Sequence, residues 1–145
     1  MIKLPLQIIE LEHDNFHILI SGEFQDGEKC HWIIDTGASK SVMDVRLNPY
    51  YEKLESNGDD EYQSAGINQG MIETEVGNLF SLKFGELTIE NLKVALIDLD
   101  HINSIYEKYT DYRIAGLIGG DVLKKYQCQI DYFSESLTFS PPPVA

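Results

Sequence analysis

Basic side chains are scarce in this sequence: 11 Lys and Arg stand against 24 Asp and Glu, a formal net charge of −13 at pH 7 over 145 residues. Such a surface repels phosphate backbones and anionic lipid, which argues against nucleic acid and membrane surfaces as partners. Long apolar runs are also missing, and none approaches the roughly 20 residues that a membrane-spanning helix needs. The opening MIKLPLQIIELEHD places acids and a proline where a secretion signal would be apolar, so the expectation is a cytoplasmic protein. Cysteine is limited to Cys30 and Cys128, without a CxxC or a neighbouring ligand cluster, and the pair reads as plain buried thiols. His13, His17, His31 and His101 show no metal spacing, so neither a metal nor a cofactor is expected.

Solenoid-length repeats, Gly/Ser linkers and low-complexity tracts are absent as well. Residues 1–145 therefore read as one domain, of a size that can bury a real core. Within it, apolar and polar positions alternate: Phe16, Ile18, Ile20; then Phe80, Leu82, Phe84; then Leu87, Ile89; finally Leu137, Phe139. Period two is the signature of half-buried strands. Turn chemistry separates them at Gln25-Asp26-Gly27-Glu28, Phe84-Gly85-Glu86 and Phe133-Ser134-Glu135-Ser136. Helical signals are short: PYYEKLES after Asn48, HINSIYEKY opened by Asp100, and DVLKKY after Gly119-Gly120. The expected class is all-β, a barrel or folded sheet with two or three small helices.

One stretch carries chemistry. WIIDTGAS, residues 32–39, runs an apolar strand into Asp35 and then into Gly37. An ionised carboxylate at the end of a buried segment is costly without partners, which marks Asp35 as a functional candidate. Gly37 permits a turn whose amides point inward, and Thr36 offers a hydroxyl that can lock it. A DTG tripeptide alone arises by chance in about one chain in forty of this length, and on that alone an Asp accepting bonds from a β-turn's amides is the better reading. A second stretch changes the balance: in RIAGLIGGDVLKKY an apolar strand ending Leu117-Ile118 meets Gly119, as a loop packed backbone-to-backbone beside the first would require. Between the two lies SAGINQGMI, with Gly66 and Gly70 bracketing Ile67 at a hairpin tip.

In DTGAS, LIGGDVL and this glycine-rich hairpin the chain resembles the retropepsin-like, or retroviral-type, aspartic proteases, in the family's order and over about residues 14–140. The resemblance implies an acid protease barrel with one lobe per chain, and a homodimer in which two copies of Asp35 meet across a two-fold axis. It implies an aspartic endopeptidase acting on an extended peptide or unfolded protein. Asp35 would be catalytic, supported by Thr36, Gly37 and Ala38. Gly66, Ile67, Asn68 and Gly70 would form a substrate-covering flap, and Leu117, Ile118 and Gly119 would pack beside the site.

The sequence departs from the retroviral pattern at Ser39 and Lys40, where acids are frequent, and at Gly120, where a basic residue is frequent. A non-proteolytic module of the same fold, binding peptides or acting as a dimerisation scaffold, is the alternative these departures leave open. Other acids read blandly. Asp131 is expected to be solvent-facing or turn-bonded, Asp121 an N-cap for DVLKKY, and Asp59-Asp60-Glu61 a solvated charge run. His31 and Trp32 are expected to be packing residues.

Overall fold

The structure, a computed structural model, describes residues 1–55 and 75–140. Strands β1 (Ile2–Pro5), β2 (Gln7–Glu10), β3 (Phe16–Phe24) and β4 (Lys29–Ile34) come first, followed by β5 (Val42–Asp44) and β6 (Tyr51–Leu54). The long hairpin β7 (Glu75–Phe84) and β8 (Leu87–Ile97) leads to helix α1 (Asp100–Tyr109), β9 (Ile114–Ile118), helix α2 (Gly120–Lys125), β10 (Gln129–Asp131) and β11 (Ser136–Phe139). Six strands, in the order β3-β4-β9-β5-β8-β7, close on themselves through Glu23↔Lys83 and Phe24↔Leu82, so the barrel has no free edge. Strands β1, β11 and β10 form a separate three-stranded sheet. The all-β architecture expected from the alternation is the one found.

The turns follow from their residues. Gly27, at φ +85°, closes the β3–β4 hairpin, and the Asp26 carboxylate accepts the Glu28 amide at 3.0 Å and the Tyr50 hydroxyl at 2.9 Å. The Glu28 amide, foremost, holds the Asp26 carboxyl below its ordinary value. Gly85, at φ +58°, makes the two-residue turn between β7 and β8.

Two readings of the sequence need correction. Simple alternation in FHILI leaves Leu19 outward and Phe16 inward, yet Leu19 is fully buried and Phe16 is 54% exposed. The barrel interior takes Ile18, Ile20, Trp32 and Ile34, while Leu19 and Ile33 face a second cluster with Tyr106 of α1 and Ile114. Strands covered on both faces read as continuous apolar runs. The helix expected over PYYEKLES is a single 3-10 turn at Asn48–Tyr50, after which β6 pairs with β7 from Tyr51↔Leu79 to Leu54↔Val76. Sheet pairing outweighs a local helical preference worth only tenths of a kcal/mol per residue. The Tyr50 ring stacks on Phe24 at 4.0 Å, and Tyr51 donates its hydroxyl to the Val45 carbonyl at 2.7 Å.

Helix α1 is tied to the barrel by Asn103, a buried amide with both ends satisfied. Its Nδ2 donates to Ile114 O at 3.1 Å and its Oδ1 accepts Ile114 N at 2.7 Å, as a strand partner would. No helix among the described residues is long and apolar enough to cross a membrane.

Both thiols are free, Cys30 buried and Cys128 half-buried. Burial pushes Cys30 up to about 12, despite Trp32 Nε1 donating to its sulfur at 3.2 Å, and pushes Cys128 up to about 11. Thiolate is the reactive form. At about pH 8 a thiol-disulfide reagent should therefore label the native protein slowly and take up two equivalents per chain once urea unfolds it. Uptake of none after unfolding would mean a disulfide.

Candidate active site

The site begins where two parallel strands end together. Trp32, Ile33 and Ile34 of β4 lie beside Gly116, Leu117 and Ile118 of β9. The ladder runs one residue further, Asp35 N donating to Ile118 O at 2.9 Å. The loops leaving these strands, residues 35–41 and 119–121, must then meet.

The first loop folds back on its own acid: Ala38 N donates to Asp35 O at 3.1 Å, and Gly37 N donates to Asp35 Oδ1 at 2.9 Å. Asp35 is thereby fixed at the mouth of the turn. It is half-exposed, not buried as the apolar approach suggested, and Thr36 and Gly37 are exposed. The second loop closes against the first through backbone, Gly120 N donating to Ala38 O at 2.7 Å. A methyl group on Gly119 would lie 2.7 Å from Ala38 O and 2.9 Å from Lys40 O, whereas one on Gly120 would meet nothing closer than 3.5 Å. Gly116 is tighter still, since a methyl there would lie 2.1 Å from Val42 O and 2.4 Å from the Trp32 ring.

Asp121 is not the helix cap the sequence suggested. The N-cap of α2 is Gly119, with no side-chain bond. Asp121 reaches instead across to Ser41: its Oδ1 accepts the Ser41 hydroxyl at 2.8 Å and its Oδ2 accepts Ser41 N at 3.1 Å. Ser41 Oγ in turn accepts Gly119 N at 3.0 Å. Sequence reasoning missed this pair, because a serine beyond DTGASK reads as loop surface and an acid before a helix reads as a cap.

A cavity of about 480 Å³ opens beside Asp35 and Thr36, walled by Ile33, Ile102, Leu117 and His17. His17 is a satisfied side chain, its Nδ1 lying 2.7 Å from the Tyr106 hydroxyl. Ile102 enters from α1, a contribution that no motif announces. Among the described residues lining this cavity Asp35 is the one carboxylate.

Asp35, Thr36, Gly37 and Ala38 come together with Leu117, Ile118 and Gly119. Gly66, Ile67, Asn68 and Gly70, and the run Asp59-Asp60-Glu61, lie outside the described residues. Asp131 is exposed and turn-bonded as expected, accepting Phe133 N at 2.8 Å and Ser134 N at 3.2 Å. The Ser134 amide, first, holds its carboxyl below the usual value. Trp32 is fully buried, and the half-buried His31 ring packs edge-on against Tyr112. Among the described residues the ligand-type side chains that gather in a group of three are Glu10, His13 and Asp14, all exposed.

The closed barrel thus carries an acid on one loop, backed by a glycine loop from a parallel neighbour. The family model described as aspartyl protease matches residues 20–122, and the chain belongs to that family. In fold it is similar to the retroviral protease-like domain of Ddi1 from Leishmania major, at 18% identity and a TM-score of 0.50, covering 83% of this chain and 86% of that one. A retropepsin-like aspartic protease from Rickettsia conorii matches at 18% identity and a TM-score of 0.46, covering 94% of this chain and 86% of that one. No curated protein sequence matches the chain.

The two adjacent glycines should respond oppositely to alanine. Gly119→Ala drives a methyl into backbone and should cost about 1–3 kcal/mol of stability. Gly120→Ala makes ordinary contacts at a helical position and should be neutral or stabilising by up to about 1 kcal/mol. Urea unfolding of both variants checks this, and equal midpoints would show that the loops are not in contact at Gly119.

Proposed function

We propose that the protein is an aspartic endopeptidase that works as a homodimer, each chain supplying one Asp35. The observation that carries the reading is a half-built site: one carboxylate, clamped at the mouth of its turn and half-open, beside a cavity whose described walls hold no second acid. General acid–base cleavage of an amide needs a proton acceptor and a proton donor together. A two-fold axis through the exposed face of the 35–37 loop would supply the second from an identical chain.

Two carboxyls about 3 Å apart cannot both ionise, so the pair shares one proton and titrates as a unit. The ionised Asp35 takes a proton from a water held between them, and the resulting hydroxide oxygen bonds to the scissile carbonyl carbon. The carbonyl π electrons move to oxygen, which takes the proton of the second copy's Asp35. In the tetrahedral diol the first carboxyl then protonates the amide nitrogen while the second recovers a proton from a hydroxyl. The C–N bond breaks, the carbonyl re-forms, and both carboxyls return to their starting states without a covalent intermediate.

In this reading Thr36 bonds across the two-fold, Gly37 offers its carbonyl to substrate backbone, and Gly66, Ile67, Asn68 and Gly70 cover the peptide. An extended chain paired through its backbone is the substrate form such a cleft takes. The walls at Ile33, Ile102 and Leu117 suit an apolar side chain next to the cleaved bond.

Asp35→Asn should abolish cleavage of an unfolded protein at acidic pH, by about 10³-fold or more. Light scattering on active protein should give twice the 16.5 kDa of one chain. Cleavage by the variant at wild-type rate would refute the assignment. Retention of peptides by the wild type without any cut product would favour a binding module.

A further inference from the structure

The 35–41 loop is pinned to the 118–121 segment at three places: Asp35 N on Ile118 O, Gly120 N on Ala38 O, and Ser41 on Asp121. The first two are single neutral backbone bonds. The third is of another kind. Ser41 is fully buried, its hydroxyl donates to Asp121 Oδ1 while accepting Gly119 N, and its amide donates to Asp121 Oδ2. Its carbonyl accepts Ala95 N at 3.0 Å, so every polar atom of the residue is engaged. Asp121 Oδ1 also accepts Val122 N at 2.9 Å.

Charge-assisted bonds of this sort are about twice as strong as neutral ones. Because Ser41 has no access to water, loss of its acceptor cannot be made good by solvent. Asp121 itself is half-buried, so its charge keeps part of its hydration. Gly119 and Gly120 have no side chain, which makes Asp121 the first residue of the second loop able to reach the first loop with one.

We propose that Asp121, acting through Ser41, is the positioning residue that holds the Asp35 turn at its working geometry. The proposal rests on the protease reading for its kinetic consequence and not for its structural one. Asp121 touches neither Asp35 nor the cavity beside it among the described contacts. It fixes the far end of a loop whose near end is Asp35, and a displacement of about 1 Å at a reacting group costs on the order of 100-fold in rate.

Two measurements on the full chain test this. Amide hydrogen exchange at Gly37, Ala38 and Ser41 should accelerate about 10- to 100-fold in Ser41→Ala and in Asp121→Ala, with Leu19 in β3 unchanged; unaltered exchange overturns the clamp whatever the activity. In cleavage assays both variants should lose about 10- to 100-fold in kcat with KM within about threefold. Asp121→Asn, which keeps one acceptor oxygen and is the safer variant for folding, should fall between Asp121→Ala and wild type. The double variant Ser41→Ala with Asp121→Ala should be no worse than the poorer single one. Multiplying losses, or a change confined to KM, contradicts the assignment. A wild type that cleaves nothing while the variants still lose protection contradicts the protease reading and leaves the clamp standing.

Discussion

The site depends first on the parallel pairing of β4 with β9, which sets Ile34 beside Ile118 and so forces the loops that follow to start level with each other. That pairing is fixed by what the strands bury. Trp32, Ile114 and Ile118 are fully buried, and each large apolar side chain removed from water contributes about 1.5–3 kcal/mol, against about 0.5–1.5 for one hydrogen bond. Apolar burial therefore sets the frame, and hydrogen bonds decide only how the loops lie within it. Gly116 is the condition for this frame, because β5 crosses so close that its Val42 carbonyl occupies the space a methyl group would need.

On that frame sits a carboxylate with a defined direction and an open face. Gly37 N fixes one oxygen of Asp35, the loop is held at three places, and the adjoining residues are exposed. An arrangement so closely held around a single acid makes chemical sense with a second acid opposite. In the proposed dimer the charge of −13 on each chain would oppose association, a repulsion that fades as pH falls toward the sequence pI of about 4.5. A pair of acids that must share a proton favours the same direction of pH, so assembly and chemistry would be promoted together.

Much of the fold was legible because its signals are local. Gly27 and Gly85 stand where left-handed backbone is needed, and burial alternates beside the β7–β8 turn, over Leu82–Phe84 and Leu87–Glu90, whereas further along β7 it is Leu79 that is fully buried and Phe80 only partly. The meeting of Asp35–Ala38 with Leu117–Gly119 was legible because each loop follows an apolar strand and carries glycine, Gly37 in the first and Gly119 in the second. What escaped depends on distant partners. Leu19 and Ile33 look misplaced until α1 covers their face, and Tyr51–Leu54 looks helical until β7 supplies its pairing. Ser41 and Asp121 lie 80 residues apart, and neither residue type announces the other.

The central claim, that two copies of Asp35 make one catalyst, is tested most directly by mixing. Wild type and Asp35→Asn chains are unfolded together in equal amounts, refolded, and assayed for cleavage at constant total protein. Random pairing leaves about a quarter of the dimers with both carboxylates, so activity per total chain should fall to about a quarter of the all-wild-type value. Activity at about one half, in simple proportion to the wild-type fraction, would mean that each chain works with its own Asp35 alone and would contradict the account.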